Sequence, residues 1–356
     1  MKKARNIQIL TIVLLTLSLS FVSCNNKKKK VITPLAIAEE INVIPTYREA
    51  IVFITGVDDS ESSFYENAKM IFEEKKYEVI TEAFSLQEII LWLNNNFDER
   101  LYTDIHIVSK NNTWNGMGLE TSINGKGIKA NTLRNDLING KIPKLQKGIT
   151  KNTNIIFHVS ELGNDADLIR SFKSVFTTTS SPKITTTSYI TIFGGDFSDH
   201  HLAKPYYVFY PTAHSPGKVD LSKEIAKKYS NEKELDWYTA LTNYSERYIG
   251  DAYTIQYNVP VQWELDFADT DNEMPTFNNS EEIMDWIEQN QELSKEFSTL
   301  NIPVDKFRWT AASTKGKLVI KGVTTVLCVL KPLIMPYGDL QHIAPEIDNL
   351  RLYSIE

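Results

Sequence analysis

Between residues 50 and 199, short apolar runs alternate with amphipathic helical patterns, and that alternation leaves few architectures open. Apolar runs buried on both faces fit parallel strands, whose crossover connections are normally helices. Residues 50–55 form the first such run and end at Gly56; residues 64–76 follow with Phe64, Ala68, Ile71 and Phe72 at helical spacing. Residues 77–80 predict the next strand and residues 85–94 the next helix, with Ser85 as N-cap and Glu88 three residues on. Further strands are predicted at 105–109, 154–160 and 189–193, with helices at 131–139, closed by Gly140, and at 166–176. A doubly wound sheet of this kind presents ligand sites at the carboxyl ends of its strands.

The pattern changes after Pro205. Residues 218–248 carry two helical stretches, and then Tyr253, Ile255, Tyr257, Val259, Val261, Trp263, Leu265 and Phe267 alternate with mostly polar residues. Strict period two predicts a long strand with one buried face, and Pro260 inside it predicts a sheet edge or a bulge. A helix over 280–297 separates this strand from a second long one over 317–330. The predicted class is α/β: a mainly parallel sheet with helices on both faces, followed by an α+β C-terminal part with long antiparallel strands. The predicted divisions are 1–23, 24–47, 48–204 and 205–356.

The first 24 residues carry their own signal. Lys2, Lys3 and Arg5 form a basic head, residues 7–22 an apolar stretch, and Phe21, Val22, Ser23 and Cys24 resemble a bacterial lipobox. The resemblance implies a signal peptide removed before Cys24, acylation of Cys24, and attachment to membrane lipid in the bacterial cell envelope. Asn25 after the cysteine implies the outer membrane. Lys27, Lys28, Lys29 and Lys30 begin a polar tether that reaches residue 47.

A net charge of −7 and a pI near 5.5 argue against nucleic acid as a partner, because binding to phosphates needs a basic surface. Cys24 and Cys328 are the two cysteines. With Cys24 lipidated no internal disulfide can form, and Cys328, inside the apolar run 326–330, is expected to be buried and structural.

The runs DIHIVSKNNTWNGMGLETS (104–122) and NIIFHVSELGND (154–165) resemble the caspase and clostripain type of cysteine peptidase. In that family one apolar strand delivers a Ser-His-Gly type motif, a hairpin and a helix intervene, and the next strand delivers the catalytic cysteine. Here Lys110 follows Ser109 at the histidine position, and Ser160, followed by Glu161, stands at the cysteine position. Serine needs a matched base within hydrogen-bond reach, and a lysine titrating near 10.4 is normally charged and cannot be that base. Glu161 is expected to pair with Lys110 and keep it protonated.

The resemblance therefore implies a caspase-like domain over 48–204 that is a non-catalytic peptidase homologue binding a peptide or protein partner. Ser109, Trp114, His158 and Glu161 are its expected binding residues, with no cofactor and no metal. The alternatives are a hydrolase using Ser160 with Lys110, a metal-dependent hydrolase at His200 and His201 with Asp196, Asp199 and His214 nearby, or a structural or assembly lipoprotein with no small ligand. His106 and His158 lie inside strands and are expected to be buried and hydrogen-bonded. Asp58 and Asp59 are expected to cap a helix. Asp266, Asp269, Asp271 and Glu273 lack EF-hand spacing and read as an acidic turn. Trp114, Trp237, Trp263 and Trp309 are core candidates, and Trp114, in a polar loop beside the expected pocket, would stack on a ligand if its ring is exposed there.

Overall fold

A computed structural model describes residues 45–59, 62–194, 199–211, 217–242, 252–267, 274–333 and 350–356. Cys24, its signal and its tether up to residue 44 lie outside these residues, as do Asp196, His214, Asp269, Asp271 and Glu273. Residues 45–356 form one compact unit. Among the described residues no helix is long and apolar enough to cross a membrane.

In chain order the first part comprises β1 (Tyr47–Arg48), β2 (Ile51–Ile54), α1 (Phe64–Glu74), β3 (Glu78–Ile80), α2 (Leu86–Asn95), β4 (Leu101–Tyr102), β5 (Asp104–Ser109), β6 (Asn111–Asn112), β7 (Gly116–Met117), α3 (Ala130–Ile138), β8 (Asn154–Val159), α4 (Ala166–Phe176) and β9 (Lys183–Thr187). The second part comprises β10 (Ile190–Phe193), β11 (His200–Tyr210), α5 (Lys218–Lys228), α6 (Trp237–Thr242), β12 (Tyr253–Asp266), α7 (Ser280–Gln289), α8 (Gln291–Ser298), β13 (Arg308–Thr314) and β14 (Lys317–Pro332). β15 (Tyr353–Ile355) returns to the first part.

The first sheet runs β15-β9-β8-β5-β2-β3, parallel except for β15. Odd and even residues of the apolar strands face opposite ways, so each strand supplies two cores. Phe53, Ile107 and Phe157 face α2, α3 and α4; Val52, Ile54 and Val108 face α1. Phe53, Phe157, Phe172 and Phe176 are fully buried, each stabilising by roughly 1.5–3 kcal/mol relative to exposure. The predicted capping box starts α2: Ser85 Oγ accepts from the Glu88 amide at 3.2 Å and Glu88 accepts from the Ser85 amide at 2.9 Å. Gly140 follows α3 in the left-handed region (φ 67°), which glycine enters without steric cost.

The second sheet is antiparallel in the order β10-β11-β14-β12, with β13 paired to the first half of β14. β12 lies at its edge, where Pro260 withdraws no ladder donor that a central strand would need. Helices α7 and α8 cover one face, and α5 and α6 the other. Gly322 lies directly across from Trp309, and a Cβ there would meet its ring at 2.4 Å. The missing side chain makes room for Trp309 to stack on Trp263 at 5.8 Å.

Two boundaries depart from expectation. The apolar run at 189–193 is no parallel strand of the first sheet; as β10 it pairs antiparallel with β11 in the second. The parallel strand beside β8 is instead Lys183–Thr187, whose threonines are fully buried despite their hydroxyls. The division expected between 204 and 205 falls inside β11, which together with β10 belongs wholly to the second sheet.

Candidate functional site

At the carboxyl end of β5, Ser109 is fully buried. Its Oγ accepts from the Leu119 amide at 3.0 Å and donates to the Lys110 carbonyl at 3.1 Å, so it holds the β6–β7 hairpin and faces no ligand. Lys110 reaches toward β2, where Nζ lies 3.0 Å from Asp58 Oδ1 and 5.2 Å from the centre of the Tyr65 ring. Asp58 also accepts from the Tyr65 and Glu66 amides at 2.7 and 2.9 Å, the capping role expected of it at the start of α1. Burial works to raise the Asp58 carboxyl, but the Glu66 amide and Lys110 outweigh it and hold it below its ordinary value.

At the carboxyl end of β8, Ser160 turns its hydroxyl away from β5 and accepts from the Thr191 amide of β10 at 3.0 Å. Its carbonyl accepts from Asn111 Nδ2 at 2.6 Å. Glu161 follows with a left-handed backbone (φ 59°), and its Oε2 accepts from Thr113 Oγ1 at 2.6 Å and Tyr207 Oη at 2.7 Å. Burial, then Cys328, Tyr257 and the Glu161 carboxylate, push the Tyr207 hydroxyl far up, so it remains a donor. Cys328 is buried as expected, and burial first and Glu161 second push its thiol up as well.

The expected Lys110 and Glu161 pair is therefore absent. β5 lies between β2 and β8; Lys110 takes the β2 side, whereas Glu161 turns to the hairpin and the second sheet. Ser160 and Lys110 are likewise directed apart. Among the described residues no base lies within hydrogen-bond reach of the Ser160 hydroxyl, which serine chemistry requires.

Trp114 is the largest correction at this site. Its ring is 7% exposed, its Nε1 donates to the Leu300 carbonyl at 2.8 Å, and it packs edge-on against Tyr207 and Phe209. The hairpin carries the ring into the core of the second sheet, where it has no face left for a ligand. His158 is also structural. Its Nε2 hydrogen-bonds His106 Nδ1 at 2.9 Å, its Nδ1 lies 3.3 Å from Tyr353 Oη, and burial pulls its pKa far down. His200 lies 5.8 Å from it, ring to ring, and burial pulls His200 down to about 3. His200 and His201 are consecutive in β11, so their side chains leave opposite faces of the strand and cannot grip one ion together. No group of three or more His, Cys, Asp or Glu among the described residues is arranged to hold a metal.

What the strand ends do build is a cleft of about 610 Å³ between the β6–β7 hairpin, the starts of α3 and α4, and the end of α8. Thr113, Lys129, Glu161, Asn164, Asp165 and Asn301 give it polar walls. Glu161 alone of these was expected. Lys129 donates to the Trp114 carbonyl at 2.6 Å, and burial lowers its pKa; Asp165 caps α4 through the Leu168 amide at 2.9 Å. Lys129 and Asp165 open the helices that follow β5 and β8, which is where a strand-end rule would have looked. No family model, curated protein or solved structure matches this chain.

Proposed function

We propose that this chain is a lipid-anchored bacterial envelope protein, held in the outer membrane through acylated Cys24. On this reading its caspase-like body lacks the His and Cys pair and binds a peptide or protein partner in the strand-end cleft. The observation that carries the non-catalytic body is the fate of the two family positions: Lys110 is ion-paired with Asp58, and the Ser160 hydroxyl accepts from the Thr191 amide. The succession of strand, hairpin, helix and strand from β5 to β8 supports the family likeness. The cleft retains fixed donors and acceptors, with Glu161 oriented by two hydrogen bonds, as a binding site needs.

Thr299 stands exposed on the rim of the cleft. Crosslinking of the envelope followed by pull-down is expected to recover a partner with the native chain and at least tenfold less with Thr299→Arg, which fills the cleft from its rim. Equal recovery contradicts the cleft as the binding site. Labelling with a palmitate analogue is expected for the native chain and lost in Cys24→Ala; label retained in the variant contradicts the anchor.

A further inference from the structure

The β9 edge of the first sheet is paired with β15. β15 contributes three ladder positions, Tyr353 across from Thr187, Ser354 from Thr186 and Ile355 from Thr185, and Glu356 and Ile184 exchange backbone bonds at 2.9 Å each. The threonines beneath are fully buried, yet Ser354, Ile355 and Glu356 are exposed. Two side-chain features mark this edge. Tyr353 fills a seat beside the buried histidines, with its Oη against His158 Nδ1. Thr186 Oγ1 is buried and has no hydrogen-bond partner among the described residues, because the short Ser354 opposite supplies none. An unpaired buried hydroxyl costs stability, so β15 is an incomplete occupant.

The edge also packs against the turn that forms one wall of the cleft. A Cβ on Gly163 would meet the Thr187 carbonyl carbon at 2.8 Å, and the residues on either side, Leu162 and Asn164, line the cleft. We infer that the β9 edge is a strand-acceptor site, at which β15 is exchanged for an extended segment of a partner. That segment carries an aromatic residue across from Thr187 and an amide side chain, Asn or Gln, across from Thr186. Backbone pairing provides the affinity and the two side-chain seats the selectivity. The inference rests on the reading that the body binds a peptide or protein, and it names where and what.

The test uses the full chain and a fluorescein-labelled peptide of residues 350–356 carrying Ser354→Asn, read by anisotropy. The Tyr353→Ala chain, whose own strand is weakened, is expected to bind this peptide at least tenfold more tightly than the native chain does. The same peptide with its native serine is expected to bind at least fivefold more weakly than the Ser354→Asn form. A chain carrying Thr185→Cys and Ile355→Cys, which face each other, is expected to bind no peptide when oxidised and to recover on reduction. Peptide binding by the oxidised form, or none by a Tyr353→Ala chain that still unfolds cooperatively, overturns the inference. Should Tyr353→Ala fail to fold, the oxidised and reduced comparison decides alone. Partner recovery that is lost with Thr299→Arg but persists in the oxidised chain preserves the cleft and removes the β9 edge.

Discussion

Lowering the pH from 7 to 5 is expected to destabilise the protein through two buried histidines. His158 is fully buried, which above all disfavours its charged form, and a proton on it would face the neighbouring His106 and His200 as well. Phe72 of α1, Phe193 of β10 and Tyr353 of β15 close the pocket around it. His200 is held neutral down to about 3. Both folded values lie below the ordinary value near 6.5, so the unfolded chain takes up protons that the folded chain refuses. Stability is therefore intact above pH 6.5 and falls as the pH drops toward the folded values. Each histidine removes about 1.4 kcal/mol per pH unit in that window. By pH 5 His200 alone removes on the order of 2 kcal/mol and His158 adds to the loss in the same direction, against a typical total of about 5–15 kcal/mol. Urea unfolding at pH 7, 6 and 5 measures this, and His200→Gln is expected to flatten the slope. A flat profile between pH 7 and 5 would mean that these rings are not buried neutral in the folded protein.

Trp114→Ala is expected to cost about 3–5 kcal/mol, the range for removing a large buried aromatic ring. The ring joins the β6–β7 hairpin to the second sheet through Tyr207, Phe209 and the Leu300 carbonyl. The neighbouring Thr113 donates to Glu161, so loosening the hairpin also releases the carboxylate that faces the cleft. Trp114→Phe keeps most of the packing and loses the hydrogen bond, for a cost nearer 1 kcal/mol beyond the lost area. Chemical denaturation of the two variants separates this role from ligand stacking. An alanine variant of native stability with weakened binding would restore the ring to the pocket.

Much of the fold was legible in local pattern. The apolar runs of β2, β5 and β8 stood out because both of their faces are buried, and β12 stood out because one of its faces is. The box that opens α2 was visible because both of its members lie within four residues. β9 escaped because Lys183–Thr187 buries threonines, and a run of hydroxyls does not read as core. β10 was recognised as a strand and given to the wrong sheet, since apolar character says that a strand is buried and not beside what.

The site was harder for the same reason. Lys110, Ser160 and Glu161 do sit at adjacent strand ends, as the sequence order implied. Their partners, Asp58, Thr191 and Tyr207, come from a preceding strand end and from the other sheet. Nothing in the short runs around β5 and β8 announces those contacts. Trp114 was misjudged because its neighbours in sequence are polar while its neighbours in space are aromatic.

The most direct measurement of the central claim is reaction of the full chain with a serine-directed fluorophosphonate, read by intact mass and by the mass of the peptide containing Ser160. With the Ser160 hydroxyl buried against the Thr191 amide and Lys110 bound to Asp58, no adduct is predicted at Ser160. Stoichiometric labelling there, lost in both Ser160→Ala and Lys110→Ala, would contradict the account and establish a working hydrolase.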